Sequence, residues 1–78
     1  MCFYFFDIVD SEGECIDDEG SEHSDFASAR AQAIDGIRSI LSASVREGVI
    51  SLDGYVRVRT ADGATVSTVP FAEAVVLR

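Results

Sequence analysis

Apolar and polar positions alternate along three stretches of the chain and recur at helical spacing along a fourth. Phe3 to Val9 is aromatic and β-branched, with Tyr4, Phe6 and Ile8 on one side of an extended chain and Phe3, Phe5, Asp7 and Val9 on the other. After Asp10-Ser11-Glu12-Gly13 a second extended stretch covers Glu14 to about Asp18, so the pattern predicts a hairpin. A three-residue loop of Ser11, Glu12 and Gly13, with Gly13 left-handed, would set Ile8 opposite Ile16.

Gly20 to Ser24 breaks the alternation, and Ser24 or Asp25 can cap a helix. Its apolar stripe reads Phe26, Ala29, Ala33, Ile37, Ile40 or Leu41, and Ser44 or Val45, and Gly48 supplies a left-handed stop. Such a helix is roughly 33 Å long, enough to cross a four-stranded sheet. Gly36 and the serines lower its intrinsic propensity, so packing must hold it.

Tyr55 to Thr60 alternates again, and Ala61-Asp62-Gly63 leads into a last strand over Ala64 to Val69. A loop like that of the first hairpin would set Val58 opposite Val66. Pro70 ends the ladder by removing a donor, Phe71 to Ala74 can make one helical turn, and Val75-Val76-Leu77-Arg78 forms an apolar tail. The expected fold is therefore α+β: one domain over residues 1–78, ordered ββαββ, with an antiparallel four-stranded sheet and one long helix on one face. The pattern leaves strand order open.

One helix buries one face of a sheet, yet both sides of the first strand carry aromatics. Something else should cover the second face. The Ile8 and Ile16 register turns Tyr4, Phe6 and Ile8 to the helix and leaves Phe3, Phe5, Asp7, Cys15, Asp17, Tyr55, Arg57 and Arg59 on the open face; the opposite facing of the first strand is the alternative. An aromatic surface with charges of both signs suits a two-fold dimer, in which Arg57 or Arg59 of one protomer meets Asp7 or Asp17 of the other. The competing reading folds the tail back over the aromatics.

Charge sharpens this picture. The formal net charge is −8; residues 1 to 25 hold nine acidic side chains and no basic one, whereas residues 26 to 78 hold five acids and six arginines. Nucleic acid and anionic membrane both need clustered cations, so neither is an expected partner. No apolar run reaches the roughly 20 residues of a spanning helix, and Met1 to Val9 lacks the basic flank and cleavage site of a leader, which points to the cytoplasm. Cys2 and Cys15 form no Cys-x-x-Cys pair and read as reduced sheet or core residues.

Candidate chemistry is sparse. Asp10-x-Glu12-x-Glu14 opens like a calcium loop, but Cys15 stands where that loop needs glycine and Ser21 where it needs a bidentate glutamate. Asp17, Asp18, Glu19, Glu22, His23 and Asp25 read as a helix-entry loop whose charges favour the helix N-terminus, and no resident metal or cofactor is expected. His23-Ser24-Asp25 has the residue types of a hydrolase triad, but adjacent residues rarely aim into one hydrogen-bonded chain. Carboxylates around Cys2 and Cys15 oppose thiolate formation, and no glycine-rich phosphate loop is present. An enzyme is not expected.

Tyr4-Phe5-Phe6-Asp7-Ile8, Asp17-Asp18-Glu19-Gly20, Ala29-Arg30-Ala31-x-Ala33 and Pro70-Phe71-x-Glu73-Ala74-Val75 together resemble a widespread family of short, uncharacterised alphaproteobacterial proteins classed as a domain of unknown function. The resemblance spans nearly the whole chain and implies an aromatic first strand, an Asp-Glu-Gly turn, an Ala-rich helix, a following hairpin and a bacterial cytoplasmic setting. Cys2 and Phe3 depart from the Pro and basic residue common in that family. No catalytic residue carries over from it.

The reading that fits best is a noncatalytic interaction module, homodimeric through Phe3, Phe5, Asp7, Asp17, Tyr55, Arg57 and Arg59. The alternative is an acidic inhibitor or nucleic-acid mimic in which the nine carboxylates of residues 1 to 25, Asp17, Asp18 and Glu19 among them, occupy a basic groove on another protein. A metal- or small-ligand-binding protein is the third.

Overall fold

The first nine-residue strand is long enough to pair with two short strands end to end, and the fold is built around that. The computed structural model describes residues 2–76. Strand β1 (Cys2–Asp10) lies antiparallel to β2 (Gly13–Cys15) along its C-terminal half and to β3 (Ser21–His23) along its N-terminal half, both on the same edge. Its other edge takes β4 (Tyr55–Thr60), which pairs with β5 (Thr65–Pro70), giving the order β2-β1-β4-β5 with β3 continuing the line of β2. A single 3-10 turn over Phe71–Ala74 follows.

The expected α+β class and antiparallel sheet hold, but the sheet has five strands rather than four, because Ser21–His23, read as a break, forms β3. The expected register of the first hairpin is corrected, and that of the second holds at Arg59 and is corrected at Val58. Ile8 faces Cys15 and Asp10 faces Gly13, so the turn is one residue tighter than expected, and the Asp10 carboxylate receives the Glu12 N–H at 2.9 Å. A one-residue slip reverses every side chain. Cys15 therefore shares the side of Ile8 rather than the open face, and Ile16 is 52% exposed. In the second hairpin Val58 faces Ser67 and Arg59 faces Thr65, so Val66 is the extra residue of a bulge and stands half exposed.

Helix α1 (Phe26–Arg46) starts where the Asp25 carboxylate accepts the Ser28 N–H at 2.8 Å. It ends at Gly48, whose φ of +86° lets Gly48 N–H reach Val45 O and Val49 N–H reach Ser44 O, at 3.0 and 3.1 Å. Ala29, Ala33, Ile37 and Leu41 are its buried stripe; the two alanines let the helix backbone approach the sheet. Against them pack Tyr4, Val56, Val58, Val69, Phe71 and Ala74. Phe26 and Val45, at the ends of the expected stripe, are partly exposed, because the sheet beneath is narrower than the helix is long.

The C-terminal segment returns to the helix side, not to the aromatic face. Phe71 and Ala74 are buried in the core, Arg38 Nε donates to Ala74 O at 2.8 Å, and Arg30 meets Glu73 at 2.8 Å. Leu77 and Arg78, expected to continue an apolar tail, lie outside the described residues, as does Met1.

Candidate functional site on the open sheet face

Strand alternation decides which side chains meet on the face away from α1. Phe5 lies opposite Arg59, Asp7 opposite Arg57 and Val9 opposite Tyr55, all facing away from the buried row of Tyr4, Val56 and Val58. Five of the seven expected site residues thus share one surface patch through β1 and β4, Phe3 extends it along β1, and Asp17 joins it from the loop between β2 and β3.

Asp7 is the centre of this face and is fully buried. Its carboxylate accepts four hydrogen bonds: from Arg59 Nε at 2.6 Å, Arg59 Nη2 at 2.9 Å, Arg57 Nε at 2.9 Å and the backbone N–H of Asp17 at 3.0 Å. The Arg59 guanidinium is the main cause that holds its pKa down at about 2; burial opposes it, and the Asp17 N–H and Arg57 add to it. Hydrogen bonding to Asp7 in turn raises the pKa of both arginines. Within the chain these charges pair with one another, Asp7 on β1 with Arg57 and Arg59 on β4. Both guanidiniums are committed to Asp7, and Arg57 is also 3.5 Å from Glu14.

Asp17 repairs a gap in the sheet. The edge strand is interrupted between Cys15 and Ser21, and there Phe6 N–H donates to Asp17 Oδ2 at 3.0 Å in place of a strand carbonyl. Asp17 Oδ1 also receives the N–H groups of Glu19 and Gly20, each at 3.1 Å, and Asp17 O receives Arg59 Nη2 at 3.0 Å. Burial alone would raise the Asp17 pKa; the three backbone N–H groups outweigh it and lower it.

The loop so held leans on the aromatics. Gly20 has a φ of +71°, and a Cβ built on it would collide with the rings of Phe3 and Phe5. The Arg59 guanidinium lies 5.1 Å from the Phe5 ring centre on its face, and the Phe3 and Phe5 rings meet edge to face at 5.5 Å. Phe5 is partly covered by these neighbours, while Phe3 remains 38% exposed. The chain therefore shelters part of the second face and leaves its aromatic end open. Gly20→Ala is expected to cost about 2 kcal/mol, combining left-handed strain with the collision. Gly48→Ala, equally left-handed but in open space, should cost about half as much; urea midpoints of the two variants compare them.

Sequence reasoning missed the roles of Gly20 and of the Asp17 side chain. The Asp-x-x-Gly spacing is the one signal of a carboxylate folding back on its own loop. His23 is also placed differently from the expected acidic loop. It is buried in β3, with Nε2 3.0 Å from Ser21 Oγ and Nδ1 3.3 Å from Ser28 Oγ, and its ring packs against Tyr4 and Phe6. Ser24 and Asp25 are not its partners, and Asp25 serves as the helix cap.

Among the described residues no group of three His, Cys, Asp or Glu side chains is arranged to hold a metal ion, and no helix is long and apolar enough to cross a membrane. No curated protein and no solved structure matches the chain. The model of the domain of unknown function DUF6894 matches residues 3–72, and the chain belongs to that family.

Proposed function

We propose that this chain is a noncatalytic protein-interaction module that pairs with a second copy of itself through the open sheet face. The observation that carries the reading is the Phe3–Phe5 pair, with Phe3 38% exposed and Phe5 partly covered, at one end of a face that no helix shields. The protein measures 38 × 26 × 16 Å, one helix layer on one sheet, so this face is broad enough for the roughly 800 Å² per partner of a standard interface. Its apolar groups sit at opposite ends, Phe3 and Phe5 at one and Val9 and Tyr55 at the other, with the Asp7–Arg57–Arg59 band between them. A two-fold axis through that band lays each aromatic end on the opposite end of the partner and brings two internally neutralised bands together at the centre. Free Cys2 and Cys15 fit the bacterial cytoplasm that the resemblance implies.

Sedimentation equilibrium from micromolar to millimolar protein tests the pairing. The native chain should move from monomer to dimer, and Phe3→Asp, at an already exposed position, should stay monomeric while keeping its circular dichroism. A native chain that remains monomeric at millimolar concentration, or a Phe3→Asp chain that dimerises equally, overturns the reading.

A second reading draws on the exposed Asp18, Glu19 and Glu22, which line the loop and edge strand beside the aromatic end. These carboxylates suit a mimic of an acidic polymer that occupies a basic groove on another protein. Such a complex would weaken steeply with salt, unlike an apolar dimer.

A further inference from the structure

Strand β5 ends the sheet, and no strand among the described residues pairs with its outer edge. Thr65-Val66-Ser67-Thr68-Val69 is β-branched apart from one serine, and β5 is the one strand among the described residues without a charged side chain. The opposite edge of the sheet is unlike it. It is broken into two three-residue strands that carry Glu14 and Glu22, with Asp17 filling the gap between them. A neutral β-branched edge is a template for a further strand, and two copies meeting there would bring no like charges together within the strands. Which backbone groups face outward follows from two hydrogen bonds. Phe71 N–H donates to Gly54 O at 2.9 Å, and bonds in an antiparallel ladder recur at every second residue, so Val69 and Ser67 bond to Val56 and Val58 while Thr68 and Pro70 point away from β4. On the other side of the bulge Thr60 N–H donates to Ala64 O at 2.9 Å, so Thr65 points outward as well.

We propose that Pro70 and the Val66 bulge guard this edge, closing β5 to strand addition and holding self-association to the open face. Pro70 has no N–H, and the position of that missing donor is the outer side of the strand, where nothing within the chain needs it. The bulge acts at the other end. Its extra residue breaks the every-second-residue rhythm between the outward groups of Thr65 and Thr68 and raises the local twist, so a straight strand laid on one of them turns away from the other. Between the bulge and the end of β5, Thr68 is left as the one outward donor. The guard stands whether or not two copies pair; its effect of limiting the assembly to two rests on the pairing through the open face.

Opening the edge tests the guard, with amide hydrogen exchange and sedimentation velocity as readouts. In the native protein the Thr68 N–H should exchange at the same rate, within about twofold, at micromolar and millimolar concentration. Pro70→Thr restores an outward donor on a backbone that threonine can adopt, φ −62° and ψ 146°, and deletion of Val66 joins the Arg59–Thr65 and Val58–Ser67 pairs into one unbroken register. The chain with both changes should keep its circular dichroism, associate one step further than the native chain and slow Thr68 exchange about tenfold or more at millimolar concentration. With Phe3→Asp added, which blocks the open face, it should still dimerise, through β5 alone. Adding Thr68→Pro instead, which removes an outward donor and no bond to β4, should return the native size. If the deletion unfolds the chain, Pro70→Thr alone decides, with Thr68 exchange slowed about threefold or more. Native Thr68 exchange that slows with concentration would show the edge already open, and edge-opened chains no larger than the native would show that nothing is held back; either overturns the proposal. Thr68 protection that disappears with Phe3→Asp overturns it too, by assigning the association to the open face.

Discussion

Asp7→Ala is expected to lower the stability of the fold by about 3 kcal/mol, the lower end of what breaking a buried ion pair costs. The substitution leaves Arg57 and Arg59 facing one another without their shared acceptor and strips the Asp17 N–H of its partner. The two guanidiniums are 24% and 22% exposed, so they can regain some water, which keeps the cost from the upper end of that range. For a domain of this size, with a total stability on the order of 4–12 kcal/mol, such a loss brings the chain near its unfolding threshold. Asp7→Asn keeps two acceptor lone pairs and the same shape, and should lose less. Urea unfolding of the three proteins measures the order. A change under about 1 kcal/mol for Asp7→Ala would mean that the buried carboxylate contributes nothing net.

The same residue sets an acid limb. The folded carboxyl titrates at about 2 and its ordinary value is 3.8, so the folded state binds this proton less readily than the unfolded chain. The stability it contributes is complete above pH about 4 and is lost as the pH falls through about 2. The difference corresponds to roughly 2 kcal/mol. Asp17, lowered in the same direction, adds to the limb. Between pH 5 and 2 the native protein should lose stability more steeply than Asp7→Asn, and parallel curves would show that Asp7 does not carry the linkage.

Gly54→Ala should cost about 3 kcal/mol, for a reason of space alone. The added Cβ would lie 2.8 Å from Phe71 Cζ and 2.8 Å from Val9 O. Neither can give way: Phe71 is buried in the core and tied to Gly54 by its own N–H, which donates to Gly54 O at 2.9 Å, and Val9 O belongs to the central strand. Gly36 is the control. It sits inside α1 with nothing near its absent side chain, so Gly36→Ala should stabilise the protein by about 0.5–1 kcal/mol. Opposite signs at two glycines separate steric demand from backbone entropy; a Gly54→Ala protein as stable as the native one would contradict the packing described.

The long periodic elements were legible from the residues, and their pairing was less so. Helix α1 is announced by Asp25, by the four-residue spacing of Ala29, Ala33, Ile37 and Leu41, and by Gly48, three signals that agree. The facing of β1 follows from Ile8 and Val58 being apolar where Asp7 and Arg57 are charged, even though matching Ile8 with Ile16 is off by one residue. That slip has a physical origin: matching Ile8 with Ile16 maximises apolar contact between two strands, but the real turn is set by Asp10 binding the Glu12 N–H, which shortens the loop. Apolar matching likewise favours Val58 with Val66, and the Asp62 carboxylate, which takes the hydroxyl of Thr60 and the N–H of Ala64, organises a turn followed by a bulge instead. β3 was hidden because three polar residues carry no apolar alternation of their own and exist as a strand only because β1 offers a free edge. The residues of the open face were readable from alternation along β1 and β4. Their internal bonding was not, since the choice between pairing within the chain and pairing across a dimer depends on the loop that brings Asp17 back to Phe6 and Asp7.

That loop also bears on the proposed pairing, because it covers part of the aromatic end and leaves Phe3 as the most open ring of the face. Nuclear Overhauser transfer between labelled and unlabelled chains in a mixed sample reads the pairing residue by residue. The account predicts intermolecular contacts from the rings of Phe3 and Phe5 to Val9 and Tyr55, and none to the exposed side of α1. Contacts confined to the helix side, or a millimolar sample with no intermolecular transfer to these rings, would contradict it.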